Sequence, residues 1–398
     1  MSVTVEEALR LILQYTPVLE EEEAPLLETV GRVLCRDLCS AIQQPPFDRS
    51  PLDGYAVVGA DLAGASPETP VVLKVVDKLY AGCVSEVPVA PGQAVRLMTG
   101  SMIPAGADCI IRQEDTDQGE DLVRIFKAVK AGSNFCHRGE EYGVGDCLVK
   151  AGRVMDAAAI AVAAGAGLTH LPVRRRMRAA IISTGDEVRQ PGQPLPAGKI
   201  YDSNTAYLAA RLHQLGAQVE FTESVGDDLT QIVSMLKRCE GRADLILTTG
   251  GVSVGQKDLI EAAVCAFGGQ VIFHGVDMKP GMPTLFAVKG SSLILGLSGN
   301  PFSAAVPFEL FMRPILARMT ENSALNPRHA CARADGDFRK RGVTRRFLRA
   351  NCQDGIVSVP TEQSNGQMRS MIGCNCLIDV LPNAGEVHRG DVLNIIWL

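Results

Sequence analysis

Three glycine-containing turns carry the residue types that bind phosphate. They are Ser183–Glu187, Thr248–Gly255 and Leu297–Pro301, and each follows an apolar run that predicts a strand. Glycine lets backbone N–H groups approach an anion closely, and serine and threonine hydroxyls add donors. One such turn is commonly an ordinary strand-to-helix connection, but three in one segment predict a cradle for phosphate or pyrophosphate. None matches a Walker A motif or a dinucleotide fingerprint, which argues against those two kinds of site.

The candidate substrate-binding residues of these turns supply a side-chain hydroxyl, a glycine backbone that an anion can approach closely, or the first residues of a helix. Asn300 and Pro301 open a predicted helix, whose positive end favours an anion. The candidates are Ser183, Thr184, Gly185, Asp186, Thr249, Gly250, Gly251, Ser253, Gly255, Gly299, Asn300 and Pro301.

Carboxylates accompany the turns. Asp186 and Glu187 belong to the first turn, Asp227 and Asp228 follow the next predicted strand, and Asp258 follows the second turn. Carboxylates beside a phosphate pocket repel the phosphate unless a hard cation such as Mg²⁺ bridges them. Each could instead be a solvated group or a helix cap, and for Asp227 and Asp228 capping is an equal alternative.

Other polar loops are open to two interpretations. Lys279 stands in the rigid turn Met278–Pro283, where its ammonium could hold an oxyanion, although a turn lysine is usually only solvated. The N-terminal half adds the polar stretches Arg49–Ala56, Arg96–Ser101 and Arg138–Glu141. Residue chemistry alone does not decide whether these stretches are turns or active-site loops.

The elements that position the three turns alternate between strand and helix. Strands are predicted over Ala179–Ile182, Gln218–Phe221 and Leu245–Thr248, and helices over Ser203–Leu215 and Phe302–Met319. Gly216 is a C-terminal cap for the first helix, and Asn300 with Pro301 starts the second. Alternation of this kind is typical of a parallel sheet whose functional loops lie at the carboxyl ends of its strands.

The segments before and after the α/β region have different patterns of helix and strand signals. A capping box of Thr4 and Glu7 predicts a helix to about Gln14, and Asp156 caps a predicted helix over Met155–Gly167. Between them a β-rich unit is predicted, and it could be inserted into an elongated helical one. Its apolar runs are Val71–Val76, Val87–Val89 and Leu122–Ile125. After Pro327 a basic stretch leads into a small β domain with runs at Ile356–Val359, Leu377–Leu381 and Val392–Trp397.

Composition narrows the class of protein. With 398 residues, 46% of them hydrophobic and 21% charged, the chain is expected to fold into several domains. A net charge of −6 argues against a nucleic-acid partner, and the absence of a signal peptide or a long apolar run argues against a membrane. The 12 cysteines show no zinc spacing, which favours a reduced, cytoplasmic protein.

Taken together, the motifs resemble those of the molybdopterin molybdenumtransferases, the MoeA and gephyrin E-domain family. The matching stretches occur in family order across nearly the whole chain. They are SPLDGYAV (50–57), MTGSMIPAGADCII (98–111), RGEE (138–141), STGDE (183–187), GKIYDSN (198–204), TTGGVSVGQKD (248–258), MKPGMP (278–283) and GNPFS (299–303).

The resemblance implies a multidomain α/β fold. An elongated dimerisation domain of residues 1–44 and 140–176 would hold an inserted β-rich domain of residues 45–139. An α/β parallel-sheet domain of the molybdopterin-binding type would span 177–326, and a C-terminal β-barrel 327–398. The implied activity is the Mg²⁺-dependent insertion of molybdate into adenylated molybdopterin with release of AMP. The implied partners of the homodimer are a molybdopterin adenylyltransferase and the recipient molybdoenzymes.

The resemblance also assigns roles residue by residue. Glu187, Asp227 (or Asp228, one register on), Asp258 and Lys279 match functional positions of the α/β domain, and Asp53 and Glu141 match positions presented across the dimer. Asp258 and Asp227 would hold Mg²⁺. Molybdate would lie beside Lys279, Pro283 and Ser303.

Departures from the family pattern leave a second function open. Met282 replaces a usual lysine, Glu141 a usual aspartate and Ser298 a usual proline, while Gly342–Arg349 and Gln363–Gly366 match the family only loosely. The alternative is a non-catalytic molybdopterin-binding scaffold or chaperone with a degraded molybdate site. A related nucleotide-handling enzyme that has only the α/β domain is disfavoured by the DGYA and RGEE motifs upstream.

Overall fold

The chain was analysed as a computed structural model that describes residues 2–252, 259–338, 343–360 and 362–398. It divides into two compact units. The larger comprises Met1–Ala24, Gly31–Cys35 and Pro172–Leu398, and the smaller comprises Pro25–Val30 and Arg36–Leu171. The strands Glu21–Pro25 and His170–Arg174 run across the division. Over the described ranges, no helix has the length and apolar character to cross a bilayer.

A five-stranded sheet forms the core of the smaller unit. Its strands, in spatial order, are Cys109–Arg112, Gly54–Val57, Gln93–Leu97, Val71–Leu79 and Leu122–Ile125. The strands predicted at Val71–Val76 and Leu122–Ile125 are confirmed. The strand predicted at Val87–Val89 is wrong, because Pro88 removes a ladder donor and the segment is irregular chain.

The remaining secondary-structure elements of the smaller unit are short. Leu38–Cys39 pairs antiparallel with Cys147–Val149, and single 3₁₀ turns occur at Leu26–Thr29, Gly59–Leu62 and Gln113–Asp115. The helix Ala157–Gly165 begins where Asp156 accepts a 2.9 Å hydrogen bond from the Ala159 N–H. This confirms the predicted cap and helix.

A six-stranded sheet organises the larger unit. Its order is Gln218–Val225, Arg178–Thr184, Leu245–Thr249, Ser292–Leu297, Leu285–Lys289 and Gln270–His274. The first four strands are parallel, which confirms the predicted α/β sheet. The last two strands join the sheet through antiparallel pairings. A tight turn at Gly290, where φ is +58°, reverses the chain between Lys289 and Ser292 and so pairs Leu285–Lys289 antiparallel with Ser292–Leu297. Val188–Arg189 and Ile200–Tyr201 form a separate two-stranded parallel pair.

Helices cover both faces of this sheet. Ile181 and Leu247 pack into one apolar cluster and their neighbours Ile182 and Ile246 into another, as expected for a sheet buried on both sides. The helices are Val5–Tyr15, Ser203–Gln214, Leu229–Cys239, Ile260–Ala266, Pro301–Pro307 and Arg313–Thr320, the last two joined by the π-helical turn Phe308–Met312.

Two of the predicted caps differ in outcome. Thr4 accepts a hydrogen bond from the Glu7 N–H at 3.1 Å, which confirms the first helix start. Asn300 occupies the cap position before Pro301, but its side chain makes no capping hydrogen bond. The side chain of Asn300 is exposed at the sheet edge instead.

The C-terminal strands form a closed barrel. Five strands close on themselves in the order Arg345–Gln353, Ile356–Ser358, Arg328–Ala334, Val392–Trp397 and Cys376–Val380. The short strand Met278–Lys279 of the α/β segment pairs parallel with the first of them. The 3₁₀ turns Ser323–Leu325 and Arg369–Met371 complete the segment. All 12 cysteines are free thiols.

Candidate functional site

A cavity of about 780 Å³ opens at the carboxyl ends of the parallel strands in the larger unit. Its volume is typical of a site that encloses a small-molecule ligand. Residues predicted from sequence line it from all three turns and from the lysine turn. They are Ser183, Thr184, Gly185, Glu187, Asp227, Thr249, Gly250, Gly251, Lys279, Pro283, Gly299, Asn300, Pro301 and Ser303.

The first two turns pack directly on each other, and this contact requires glycine. Gly250 has φ of +91°, and a Cβ atom there would lie 2.4 Å from the Thr184 carbonyl oxygen. Gly185 has φ of +143°, and a Cβ there would lie 2.7 Å from a carboxylate oxygen of Glu187. Both turns therefore approach neighbouring atoms more closely than a residue with a side chain would allow.

Buried hydroxyls lie beneath these turns. The Ser183 and Thr184 side chains are buried, and their oxygens have no hydrogen-bond partner in the part of the chain that the structure describes. A buried hydroxyl without a partner is costly, so it is a natural donor to a bound ligand. Both residues line the cavity.

Asn204 joins the second and third turns. Its side-chain amide donates to the Thr249 hydroxyl and to the Gly299 carbonyl, both at 2.8 Å. The Thr249 hydroxyl in turn donates to the Ser298 carbonyl at 3.2 Å. Asn204 also lines the cavity. Asn204 belongs to the GKIYDSN motif, but the sequence alone does not indicate that it joins the two turns.

Asp186, Asp227 and Asp228 have three different environments. Asp228 caps the helix Leu229–Cys239 through a 2.8 Å hydrogen bond from the Gln231 N–H. Asp227 lines the cavity. Asp186 does not line it, because its carboxylate accepts the Asp227 N–H at 3.1 Å. The structure thus favours Asp227 over Asp228 as the cavity carboxylate and places Asp186 as its support.

The lysine turn is fixed by close packing. A Cβ on Gly281 would lie 2.5 Å from the Pro307 ring, and the Thr284 hydroxyl donates to the Gly281 carbonyl at 2.7 Å. Lys279 is exposed and lines the cavity. Met282 also lines the cavity, 48% exposed, and brings no charge to it.

A loop of the barrel reaches the same cavity through Asn365 and Gly366. The Asn365 carbonyl accepts the Phe302 N–H at 2.9 Å. The fully buried Arg349 holds this loop, since its guanidinium donates to the carbonyls of Ser364, at 2.6 Å, and Gln367, and lies 3.8 Å from the centre of the Phe302 ring. Burial lowers the pKa of Arg349. From the sequence alone, the stretches Gly342–Arg349 and Gln363–Gly366 match the family only loosely.

The other predicted residues lie elsewhere. Asp53, in the smaller unit, accepts 2.7 Å hydrogen bonds from the backbone N–H and the hydroxyl of Thr99, and these bonds lower the pKa of its carboxyl. Glu141, in the same unit, is exposed. Ser253, Gly255 and Asp258 lie outside the described residues.

The fold and the cavity define an α/β protein that presents glycine turns to a small ligand, with a barrel appended. Family profiles match almost the whole chain. They describe the MoeA N-terminal region (domains I and II) over residues 3–167, a probable molybdopterin-binding domain over 180–318, and the MoeA C-terminal region (domain IV) over 331–398.

Individual proteins agree with the profiles. The chain is 35% identical to molybdopterin molybdenumtransferase 2 of Mycobacterium tuberculosis, with 98% of both chains covered. It is 32% identical to molybdopterin molybdenumtransferase of Staphylococcus aureus, covering 99% of this chain and 95% of that one. The crystal structure of a molybdopterin biosynthesis MoeA protein from Pyrococcus horikoshii superposes with a TM-score of 0.85 at 28% identity, covering 100% of this chain and 99% of that one.

The chain therefore belongs to the MoeA family of molybdopterin molybdenumtransferases, and it is a transferase of molybdenum cofactor biosynthesis. The resemblance inferred from the motifs is confirmed, as is the multidomain fold.

Proposed function

We propose that the protein inserts molybdate into adenylated molybdopterin in a Mg²⁺-dependent reaction that releases AMP. One observation carries the proposal: three glycine turns, three carboxylates (Glu187, Asp202 and Asp227) and a lysine all line a single cavity. Water would cleave the phosphoanhydride bond, so that AMP leaves with one phosphate, the other stays on the pterin, and molybdenum stays on the dithiolene sulfurs.

The turns bind and orient the phosphates. Gly185 and Gly250 donate their backbone N–H groups to the carbonyls of Val225 and Leu297, at 3.2 and 3.1 Å, which fixes the two turns at the cavity wall. The Ser183 and Thr184 hydroxyls, which have no partner among the described residues, can donate to the phosphates. Gly299, Asn300 and Pro301 would contact the ligand from the third turn, which Asn204 ties to the second. Donors already fixed by such bonds need no reorganisation during the reaction.

The donor chemistry fits Mg²⁺. This ion takes one or two carboxylates together with phosphate oxygens and waters, and Glu187 and Asp227 line the cavity. No group of three or more acidic, histidine or cysteine side chains is placed to hold a metal ion anywhere among the described residues, this cavity included, so phosphate oxygens and waters would have to supply the other ligands. We assign Asp227 as a ligand and predict Asp258 as the second. When bound, the ion neutralises phosphate charge and polarises the scissile bond.

Molybdate would lie at the other side of the cavity. Lys279 supplies the positive charge, and Pro283 with the buried Ser303 shapes the wall. Met282 gives no second cation, so we expect weaker molybdate binding here than a two-lysine site would give.

We further propose a cytoplasmic homodimer in which Asp53 and Glu141 of the partner subunit complete each site. The support is that Thr99 holds the Asp53 carboxylate ionised. The proposed domains are residues 1–44 with 140–176, then 45–139, 177–326 and 327–398. A molybdopterin adenylyltransferase would deliver the substrate, and molybdoenzymes would receive the product.

A second candidate is a scaffold or chaperone that binds molybdopterin without turning it over, and the uncharged Met282 in the cavity favours it. Release of AMP from adenylated molybdopterin, measured with Mg²⁺ over a molybdate titration, separates the two. The enzyme gives molybdate-dependent release. Tight substrate binding without release at any molybdate concentration would establish the scaffold.

A further inference from the structure

A buried ion pair joins two helices that both begin at the cavity. The Arg211 guanidinium donates to both carboxylate oxygens of Glu309, through Nε at 2.7 Å and through Nη2 at 2.9 Å. Arg211 belongs to the helix Ser203–Gln214, and Glu309 lies in the π-helical turn Phe308–Met312 that continues the helix Pro301–Pro307. Only 2% of the Glu309 side chain and 20% of the Arg211 side chain are exposed. The first residues of both helices line the cavity.

The pair shares a helix face with one of these cavity residues. Asn204, Tyr207 and Arg211 are spaced by three and four positions, which aligns them along one side of their helix. The Tyr207 hydroxyl donates to Glu309 at 3.3 Å, so this side faces the π-helical turn. Arg211 follows Asn204 by about two helical turns. The ion pair therefore acts on the same side of the helix as the Asn204 amide, at a distance from the cavity.

Asn204 is the residue that depends on the alignment of the two helices. Its amide nitrogen donates to the Thr249 hydroxyl and to the Gly299 carbonyl, both at 2.8 Å. Gly299 belongs to the turn that leads into the helix Pro301–Pro307. A slide of the helix Ser203–Gln214 along this neighbour by roughly 1 Å would take the amide beyond hydrogen-bond distance of that carbonyl.

A buried ion pair is better suited to setting this alignment than to stabilising the fold. Removing two charges from water opposes folding by about as much as their attraction favours it. Apolar residues of similar volume in place of such a pair therefore often leave stability unchanged or raise it. A bidentate contact between guanidinium and carboxylate has one preferred geometry, which fixes both the slide and the rotation of the helices. Apolar contacts define such a position less sharply.

We propose that Arg211 and Glu309 are a positioning pair for substrate binding, which aligns the two helices so that the bridge made by Asn204 can form at the cavity. The inference rests on the proposed function for its substrate, adenylated molybdopterin. Both members of the pair are positioning residues, since neither is among the described residues that line the cavity. Loss of the pair should therefore weaken substrate binding without a loss of folding stability.

Three variants separate positioning from packing. The apolar variant Tyr207→Phe/Arg211→Met/Glu309→Leu replaces the charges and the buried hydroxyl by groups of similar size. Arg211→Lys keeps the charge but not the planar fork that contacts two oxygens. The control Arg175→Met/Asp244→Asn removes another bidentate pair, at the amino ends of the strands and so at the sheet edge opposite the cavity. Asparagine there keeps an acceptor for the backbone N–H that Asp244 also binds.

The first experiment is hydrogen exchange of the Asn204 side-chain amide by ¹⁵N NMR of the full-length protein, with its signals assigned from Asn204→Ala. Exchange should be about fivefold faster in the apolar variant than in the wild type, while the urea midpoint of unfolding stays the same or rises. The control should leave this exchange unchanged.

Unchanged Asn204 exchange in the folded apolar variant would overturn the proposal whatever the enzyme does. Arg211→Lys should exchange about twofold faster than the wild type, because one of the two hydrogen bonds to the carboxylate is lost. If the apolar variant does not fold, this lysine variant decides the question, and exchange equal to that of the wild type would then overturn the proposal.

The second experiment measures KM for adenylated molybdopterin from the release of AMP. KM should be about fivefold higher in the apolar variant than in the wild type, and the control should match the wild type. Equal KM in the apolar variant and the wild type would show that the pair does not serve substrate binding.

A combined variant tests whether the pair acts through Asn204. Asn204→Ala already lacks the bridge, so adding the apolar changes to it should raise KM by less than about twofold. A further fivefold rise would contradict the proposal. Absence of AMP release in every protein, including the wild type, would remove the proposed function, while the exchange of the Asn204 amide would still decide whether the pair positions it.

Discussion

The turns of the α/β sheet and the loop of the barrel reach the same cavity by different means. Gly250 is fixed by its backbone conformation, with φ of +91°, and by its close approach to the Thr184 carbonyl. The loop that carries Asn365 and Gly366 is fixed by a distant residue, because Arg349 binds two of its carbonyls and stacks on Phe302. Backbone conformation and close backbone packing therefore determine the first region, and contacts of one buried side chain determine the second.

The two regions therefore differ in how many residue substitutions they tolerate. The first two sheet turns tolerate few residue types, because Gly185, Gly250 and Gly251 each have a positive φ and a close contact at the Cβ position. The barrel loop depends on carbonyls that any residue supplies, so its sequence is free as long as Arg349 and Phe302 remain. The eroded motif in the barrel is thus compatible with a retained position in space.

The largest effect is expected at Asp227. Asp227→Asn should lower kcat for AMP release about 100-fold or more, because the cavity loses a charged Mg²⁺ ligand. Asp228→Asn is the matched control, since an asparagine still caps the helix, and it should keep near-wild-type turnover. Both rates come from AMP quantified over time at saturating Mg²⁺. Equal losses in the two variants would refute the assignment of Asp227.

Alanine at two cavity glycines tests the comparison directly. Gly250→Ala should lower the free energy of unfolding by about 3 kcal/mol and abolish substrate binding, because of its clash with Thr184 and its positive φ. Gly366→Ala should change stability by less than about 0.5 kcal/mol, since no described atom lies within 4 Å of the added Cβ. Urea denaturation measures both. A loss of less than about 1 kcal/mol in Gly250→Ala would show that backbone conformation and packing on Thr184 do not fix the turn.

Arg349→Lys tests the tertiary anchor. Lysine keeps the charge but cannot donate to the two carbonyls with a planar fork, so we expect a loss of about 2 kcal/mol in unfolding free energy. Hydrogen exchange should rise in residues 363–367 and stay unchanged in the turn 183–187. Increased exchange in both regions alike would contradict the separation of the two regions.

The smallest effect is expected at Met282. Met282→Lys adds a cation to the wall that Lys279 already charges, and it should lower the molybdate concentration for half-maximal AMP release by up to about tenfold. Met282→Gln, polar but uncharged, is the control. An unchanged requirement in the lysine variant would mean that another group already supplies the second charge.

Much of the cavity could be predicted from the sequence because strand ends and glycine turns are local signals. Thr184, Gly185, Gly250 and Gly299 all belong to turns that follow a predicted strand, and parallel strands bring their carboxyl ends to one edge. The resemblance to the family then added Lys279, which residue chemistry alone left as an ordinary turn lysine.

The remainder depends on contacts between distant residues. Asn204 joins two turns that follow it by 45 and 95 residues, and no local pattern indicates such a reach. The sequence predicts Asp186 as a substrate-binding residue, but its carboxylate accepts a hydrogen bond from the backbone N–H of Asp227. The pairing of His274 with Val252 links positions 22 residues apart through an otherwise unremarked strand end.

The most direct test of the central claim, that the sheet-edge cavity is the site of reaction, is a crystal structure of Asp227→Asn with adenylated molybdopterin and Mg²⁺. The phosphates should lie against Ser183–Gly185 and Thr249–Gly251, with the pterin sulfurs directed toward Lys279. Density for the substrate on any other surface, with this cavity filled only by solvent, would contradict the account.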